Sequence, residues 1–284
     1  MLVLLGPSFA GADADYQRLS RVTGMVAYDL RARLKPGMWG LVKALADETE
    51  AQRLASSLSA ERFPIVVVPR EVATDPERPI VALKALSISD QQLTLQLRER
   101  AMEVPLAALC AIVRGEAQVG KGTPRAAGSA GAGTSSSTFR AVVPSANELQ
   151  VFRESMSPAS FEAFAAADLH FHSVNWIARI DARSFDFRAL GIAAASPAGA
   201  LDALVDRLAL LAKVRVDRAA RASSITSFTQ QAVKSVASGS PTTTPMSHRG
   251  KEIAGDERFD PYSRVVGEAE RLLSSQIAAA QAPA

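Results

Sequence analysis

The residues best suited to chemistry lie in Asp168-Leu-His-Phe-His-Ser173. Side chains two apart on a β-strand share a face, so Asp168, His170 and His172 would project together. Two imidazoles and a carboxylate form a plausible metal donor set, and a zinc or manganese site needs about three to four protein donors. A fourth donor could come from Asp181 or Asp186 across a hairpin; the remaining histidine, His248, sits in a Ser/Thr/Pro-rich stretch. The competing reading is a half-buried strand with its polar residues outward, and the small ligand count favours it.

Those six residues resemble the opening motif of the polymerase-and-histidinol-phosphatase hydrolases. The resemblance implies a metal-dependent hydrolase centred on Asp168, His170 and His172 as the alternative function. Other chemistry-bearing groups are sparser. Arg179, Asp181, Arg183 and Asp186 alternate in charge, the pattern of a solvated strand face or of cross-strand pairs. Val119-Gly-Lys-Gly122 has a glycine-lysine pair without the glycine and Ser/Thr spacing of a phosphate loop. Cys110 is the sole cysteine and lies in an apolar run, which reads as a small core residue rather than a nucleophile. No serine-nucleophile elbow or dinucleotide fingerprint is present. No cofactor is expected.

The elements that would position these groups begin with a compact α/β pattern over residues 1–72. Leu2 to Leu5 is apolar enough for a strand. Tyr16, Leu19 and Val22 mark one face of a helix that Gly24 ends, because only glycine enters the left-handed region cheaply. A second helix over Ala27 to Leu34 stops at Pro36-Gly37, and Met38 to Leu45 reads as a strand. Asp47 is an N-cap with Glu50 three residues on, and Ala51, Leu54, Ala55 and Leu58 form a buried stripe. Ile65-Val-Val-Val68 is a β-branched run typical of a covered strand.

This order of strand, helix, helix, strand, helix, strand, with Thr23-Gly24-Met25 at the helix turn, resembles the C-terminal domain of the bacterial ribosomal stalk protein of the large subunit. The resemblance covers about 65 residues. It implies a βααβαβ module that contacts protein partners through basic residues of its first two helices; two of those positions are Gln17 and Ser20 here, with Arg18 and Arg21 close by, and Arg31 matches a basic position of the second helix.

A turn-rich joint, Thr74-Asp-Pro-Glu-Arg-Pro79, precedes a β-rich module over 78–216. Leu93, Leu95 and Leu97 alternate with polar residues in a half-buried antiparallel strand, and its neighbours extend this into a meander. The Gly/Ala/Ser/Thr stretch at 118–138 reads as a flexible insertion or a domain boundary. Glu148 to Ala167 is expected to be partly helical and Leu169 to Ile180 strand-like. Ser196-Pro197 then caps a helix carrying Leu201, Leu204, Val205, Leu208 and Leu211. Strands followed by a closing amphipathic helix resemble a pleckstrin-homology-like arrangement. Residues 217–284 are expected to be a mostly disordered tail with one transient helix at 264–277. The fold class is therefore α+β.

Composition bounds the function. In 284 residues, 48% hydrophobic and only +3 in net charge, nothing resembles a nucleic-acid-binding surface, and aromatic residues do not interleave with basic ones. No apolar run reaches membrane-spanning length. The reading is a cytoplasmic, bacterial-type interaction or regulatory protein with an as yet unidentified protein partner and no nucleic acid.

Overall fold

The computed structural model describes residues 1–120, 161–220 and 259–281. Its architecture is α+β, arranged as stacked layers in which one helix separates two sheets.

The N-terminal elements form in the expected order: β1 (Leu2–Leu5), α1 (Asp13–Thr23), α2 (Ala27–Arg33), β2 (Gly40–Ala44), α3 (Glu48–Ala60) and β3 (Ile65–Val68). Local chemistry sets the boundaries. Gly24 adopts φ 69° and ends α1 by donating its N–H to Ser20 O. The Asp47 carboxylate accepts from Thr49 N at 2.7 Å and opens α3. The strands pair antiparallel in the order β2-β1-β3. One sheet face, with Val3, Leu5 and Ile65, packs under Leu19, Leu30, Ala51 and Leu58 of the three helices.

After a turn of 3-10 helix (Arg70–Thr74) come β4 (Ile80–Leu83), β5 (Ala85–Ile88), β6 (Gln92–Gln96), β7 (Ala101–Pro105) and β8 (Leu109–Gly120). The meander forms as a sheet in the order β5-β6-β7. Then come β9 (Phe161–Phe171), β10 (Ile177–Asp181), α4 (Pro197–Ala212), β11 (Val216–Ala220) and α5 (Phe259–Gln281). A five-stranded sheet runs β11-β8-β9-β10-β4. On one face Ile112, Leu169 and Ile180 pack against Leu201, Leu204 and Leu208 of α4 and against the meander. The Ser196 hydroxyl caps α4 by accepting from Gly199 N, as the Ser-Pro pair predicts.

Three expectations are corrected. Residues 161–167, assigned to a partly helical stretch, belong to β9, and the strand-like stretch from Leu169 breaks after Phe171 before β10 resumes at Ile177. The pleckstrin-homology-like arrangement does not form. Strands β4 and β11 pair in parallel with β10 and β8, and α4 is followed by a further strand and helix rather than closing the chain. The helix expected at 264–277 as a transient element of the tail starts at Phe259, and its side chains are core. Phe259, Tyr262, Val265, Val266 and Ala269 are all buried, joining Leu2, Leu4, Val66 and Val68 of the first sheet, and Trp39 just before β2, to Val113, Phe164 and Ala166 of the second. The module at 1–72 is therefore not closed by its own residues. Most of the insertion at 118–138, Lys121-Gly122 and His248 lie outside the described residues. Among the described residues, no helix is long and apolar enough to cross a membrane.

Candidate functional site

The Asp168 motif does sit on a strand, but its polar face points inward, beneath α5. Strand alternation sends Ala167, Leu169 and Phe171 to one core, and Phe164, Ala166, Asp168 and His170 toward α5. Asp168 and His170 are fully buried. Buried charges persist only when paired, and the pairing here is extensive.

Both Asp168 oxygens accept from Arg179 on the neighbouring strand β10, from Nε at 2.7 Å and Nη2 at 2.8 Å. Arg179 uses Nη1 to meet Asp260 of α5 at 2.7 Å, and its guanidinium lies 5.0 Å from the Phe259 ring centroid. Burial alone would raise the Asp168 pKa, but the Arg179 charge and hydrogen bonds outweigh it and hold the carboxyl below its usual range. Burial works against the Arg179 charge as well, and Asp168 and Asp260 more than restore it. Of the two expectations for Arg179, the cross-strand pair forms, with its register partner Asp168; the solvated face is corrected, because residues of β10 that would face water in an isolated sheet face α5 instead. Asp181 and Arg183 do pair near the surface at 2.7 Å, with Arg183 stacked on Phe164. The Asp186 carboxylate accepts from Arg188 N.

His170 continues the network. Its Nε2 is 3.0 Å from Ser263 Oγ on α5, and its Nδ1 is 3.4 Å from Arg78 Nη2. A guanidinium only donates, so Nδ1 accepts, Nε2 carries the proton, and Ser263 in turn donates to Asp168. Arg78 also meets Glu268 at 3.0 Å, and Arg271 holds both Glu268 oxygens. Gly267 lets the helix approach: a Cβ there would lie 2.1 Å from His170 Nδ1. Two further seams pin α5, Tyr262 to Asp217 at 3.0 Å and Trp39 to Glu270 at 2.8 Å.

Serine, histidine and aspartate therefore meet, in an order unsuited to catalysis. The carboxylate is bonded to Ser263 rather than to the imidazole, and the far imidazole nitrogen faces a cation. In a nucleophilic triad the acid instead orients the base. Burial, opposed by the Asp168 charge and reinforced by Arg78, Arg179 and Arg264, pushes the His170 pKa down to about 3, far below that of a working base. Ser263 is fully buried as well.

The proposed metal set also fails to assemble. His172 lies beyond the end of β9 and is exposed, while Asp168 is occupied by Arg179. Among the described residues, no group of three or more His, Cys, Asp or Glu side chains could hold a metal ion. Cys110 donates its thiol to His170 O at 3.2 Å, and burial pushes its pKa up to about 11, leaving it a poor nucleophile.

The low His170 pKa makes stability depend on pH with a definite sign. The unfolded imidazole titrates near its ordinary value, 6.5, and the folded one near 3. Stability from keeping the ring neutral is complete above pH 6.5 and is lost as pH falls toward 3. The groups facing the ring are Asp168, Arg179 and Arg78 from the sheet side and Ser263 and Arg264 from α5. Asp168 adds loss only below its ordinary value of 3.8. We expect urea-derived stability to fall with a slope approaching about 1.4 kcal/mol per pH unit on acidification. In His170→Gln the slope should flatten; an unchanged slope would assign the acid sensitivity elsewhere.

Arg18, Arg21 and Arg31, expected to contact a partner, lie on helices α1 and α2, which cover the opposite side of the first sheet from α5. Arg18 is engaged internally, by Asp15 at 2.7 Å, Glu61 O at 3.1 Å and the Phe63 ring. Arg31 pairs with Asp13 at 2.8 Å and lies 5.6 Å from the Tyr16 ring centroid. Arg21 is exposed on the last turn of α1, and beside that turn α2 begins with two exposed apolar side chains, Val26 (65%) and Tyr28 (78%). Sequence periodicity picked out the inward faces of α1 and α2, whereas Val26 and Tyr28 carry no signal until the helix axes are known. No protein-family model, curated protein or solved structure matches this chain.

Proposed function

We propose that the chain is a non-catalytic protein-interaction or regulatory protein that contacts a partner through the α1–α2 corner. The observation that carries this reading is the exposure of Val26 and Tyr28 beside Arg21. A tyrosine and an arginine flanking an apolar side chain supply the residue types that dominate binding energy at protein interfaces. The resemblance to the ribosomal stalk domain points to the same two helices. The corner suits a partner surface that is apolar with acidic residues at its rim. By contrast, the groups with strongly shifted pKa values are enclosed and paired, so the hydrolase alternative has no accessible donor set to support it.

The test is a photo-crosslinking amino acid placed at Tyr28 in the native cell, with the same substitution at exposed Arg98 as control. A discrete protein adduct is expected from position 28 alone, lost on Arg21→Glu. Adducts of equal yield from both positions would overturn the reading, and so would the absence of any adduct.

A further inference from the structure

The first sheet has two open edges, and they are treated differently. The β2 edge carries Lys43, which meets Glu50 at 3.7 Å, the kind of charge that blunts an edge against further pairing. The β3 edge is Ile65-Val-Val-Val68, without any charge.

The register shows which main-chain groups that edge presents. β3 pairs with β1 as Leu5↔Ile65, Leu4↔Val66, Val3↔Val67 and Leu2↔Val68, and Gly6 N donates to Pro64 O at 2.6 Å. Positions 64, 66 and 68 thus direct their main chain at β1, and alternation turns the N–H and C=O of Ile65 and Val67 outward. Among the described residues, no other hydrogen bond reaches those groups. They border a groove of about 570 Å³. One wall is α3, through Gln52, Ser56 and Ser59; the other is α5, through Leu272, Ser275 and Gln276. Among the described residues, none that lines it is charged.

We infer that this groove is a strand-addition site that takes a short extended segment of a partner protein. Outward N–H and C=O groups two residues apart match the repeat of a β-strand and of little else. The segment's alternate side chains would point to α3 and to α5. The walls are serine, glutamine, one alanine (Ala55) and one leucine, so they fit small or β-branched uncharged residues and would leave a charged one desolvated without a counter-ion. A second copy of this chain fits less well. Its own β3 is flanked by α3 and α5 on both faces, and these helices would meet their counterparts before the strands came within about 4.8 Å. Pro64 and Pro69 bound the edge, so the added strand is short. The site is separate from the α1–α2 corner and does not depend on it.

Phage-displayed random dodecapeptides panned on the full-length chain test the inference. Selected sequences are expected to be uncharged over a four- to five-residue core. Synthetic peptides with that core should bind in fluorescence anisotropy. Val67→Pro removes an outward N–H, and Ser275→Arg fills the groove from an exposed helical position; each should weaken binding at least tenfold while circular dichroism stays native. N-methylation of alternate peptide amides should have the same effect, and Tyr28→Ser should have none. Failure to enrich a common core overturns the proposal, as does equal binding to Val67→Pro and Ser275→Arg. Self-association abolished by Val67→Pro would also overturn it, assigning the edge to a second copy.

Discussion

Truncation before Phe259 is expected to abolish the cooperative unfolding transition of the whole chain. The last helix places Phe259, Tyr262, Val265 and Val266 between two sheets. Burying a large apolar side chain is worth about 1.5–3 kcal/mol, so these four represent roughly 6–12 kcal/mol, comparable to the entire stability of a typical domain. Their loss would also bare Leu2, Leu4, Trp39, Val66 and Val68 on one side and Val113 and Phe164 on the other. The measurement is thermal unfolding by near-ultraviolet circular dichroism with a hydrophobic dye present. A truncated chain that melts sharply, within a few degrees of the intact one and without dye binding, would contradict the packing. The same argument applies to a fragment of residues 1–72. That fragment has the right elements and one finished face, but its second face is apolar and uncovered.

Asp168→Asn is the substitution expected to cost most at a single side chain. The change keeps the shape and removes the charge, leaving the buried Arg179 guanidinium with only Asp260 as its charged partner among the contacts described. Breaking one partner out of a buried ion pair costs about 3–5 kcal/mol, most of it the uncompensated charge. Urea denaturation should show that loss, and Arg179→Met in the same chain should recover part of it. Bound metal should be at background before and after. A stoichiometric metal that disappears in Asp168→Asn, with stability little changed, would instead restore the hydrolase reading.

How much of this was legible in the sequence varies with the range of the interaction. Helices α1 to α4 carry their own stripes and stops: Gly24 after α1, Asp47 before α3, Ser196-Pro197 before α4. Such signals act within a turn or two, and they placed these elements correctly. The β5–β7 meander was legible for the same reason, since Leu93 and Leu95 alternate with polar neighbours. The network was not. Asp168 and Arg179 are 11 residues apart and read as two unrelated polar patterns, a metal motif and a solvated face, because nothing local says that a helix some 90 residues later will cover both. A signal did exist. Phe259, Tyr262, Val265, Val266 and Ala269 recur at helical spacing, and Gly267 interrupts an otherwise good helix former at the position where His170 lies against it. Beginning that helix at Arg264 discarded its two largest apolar residues.

The position of α5 also bears on how the chain is made. Strand β1 is synthesised before the other elements described, yet one face of its sheet is completed by residues roughly 260 positions later. At about 5–20 residues per second, the interval between the end of β3 and the arrival of α5 is on the order of ten seconds or more. Throughout it, Leu2, Leu4, Trp39 and Val66 lack the cover that α5 provides. The nascent chain thus carries an apolar sheet face, with an uncharged strand at its rim, throughout the interval between β3 and α5. Demand for holding chaperones should therefore be set by translation speed between residues 70 and 259, independently of the stability the finished protein attains.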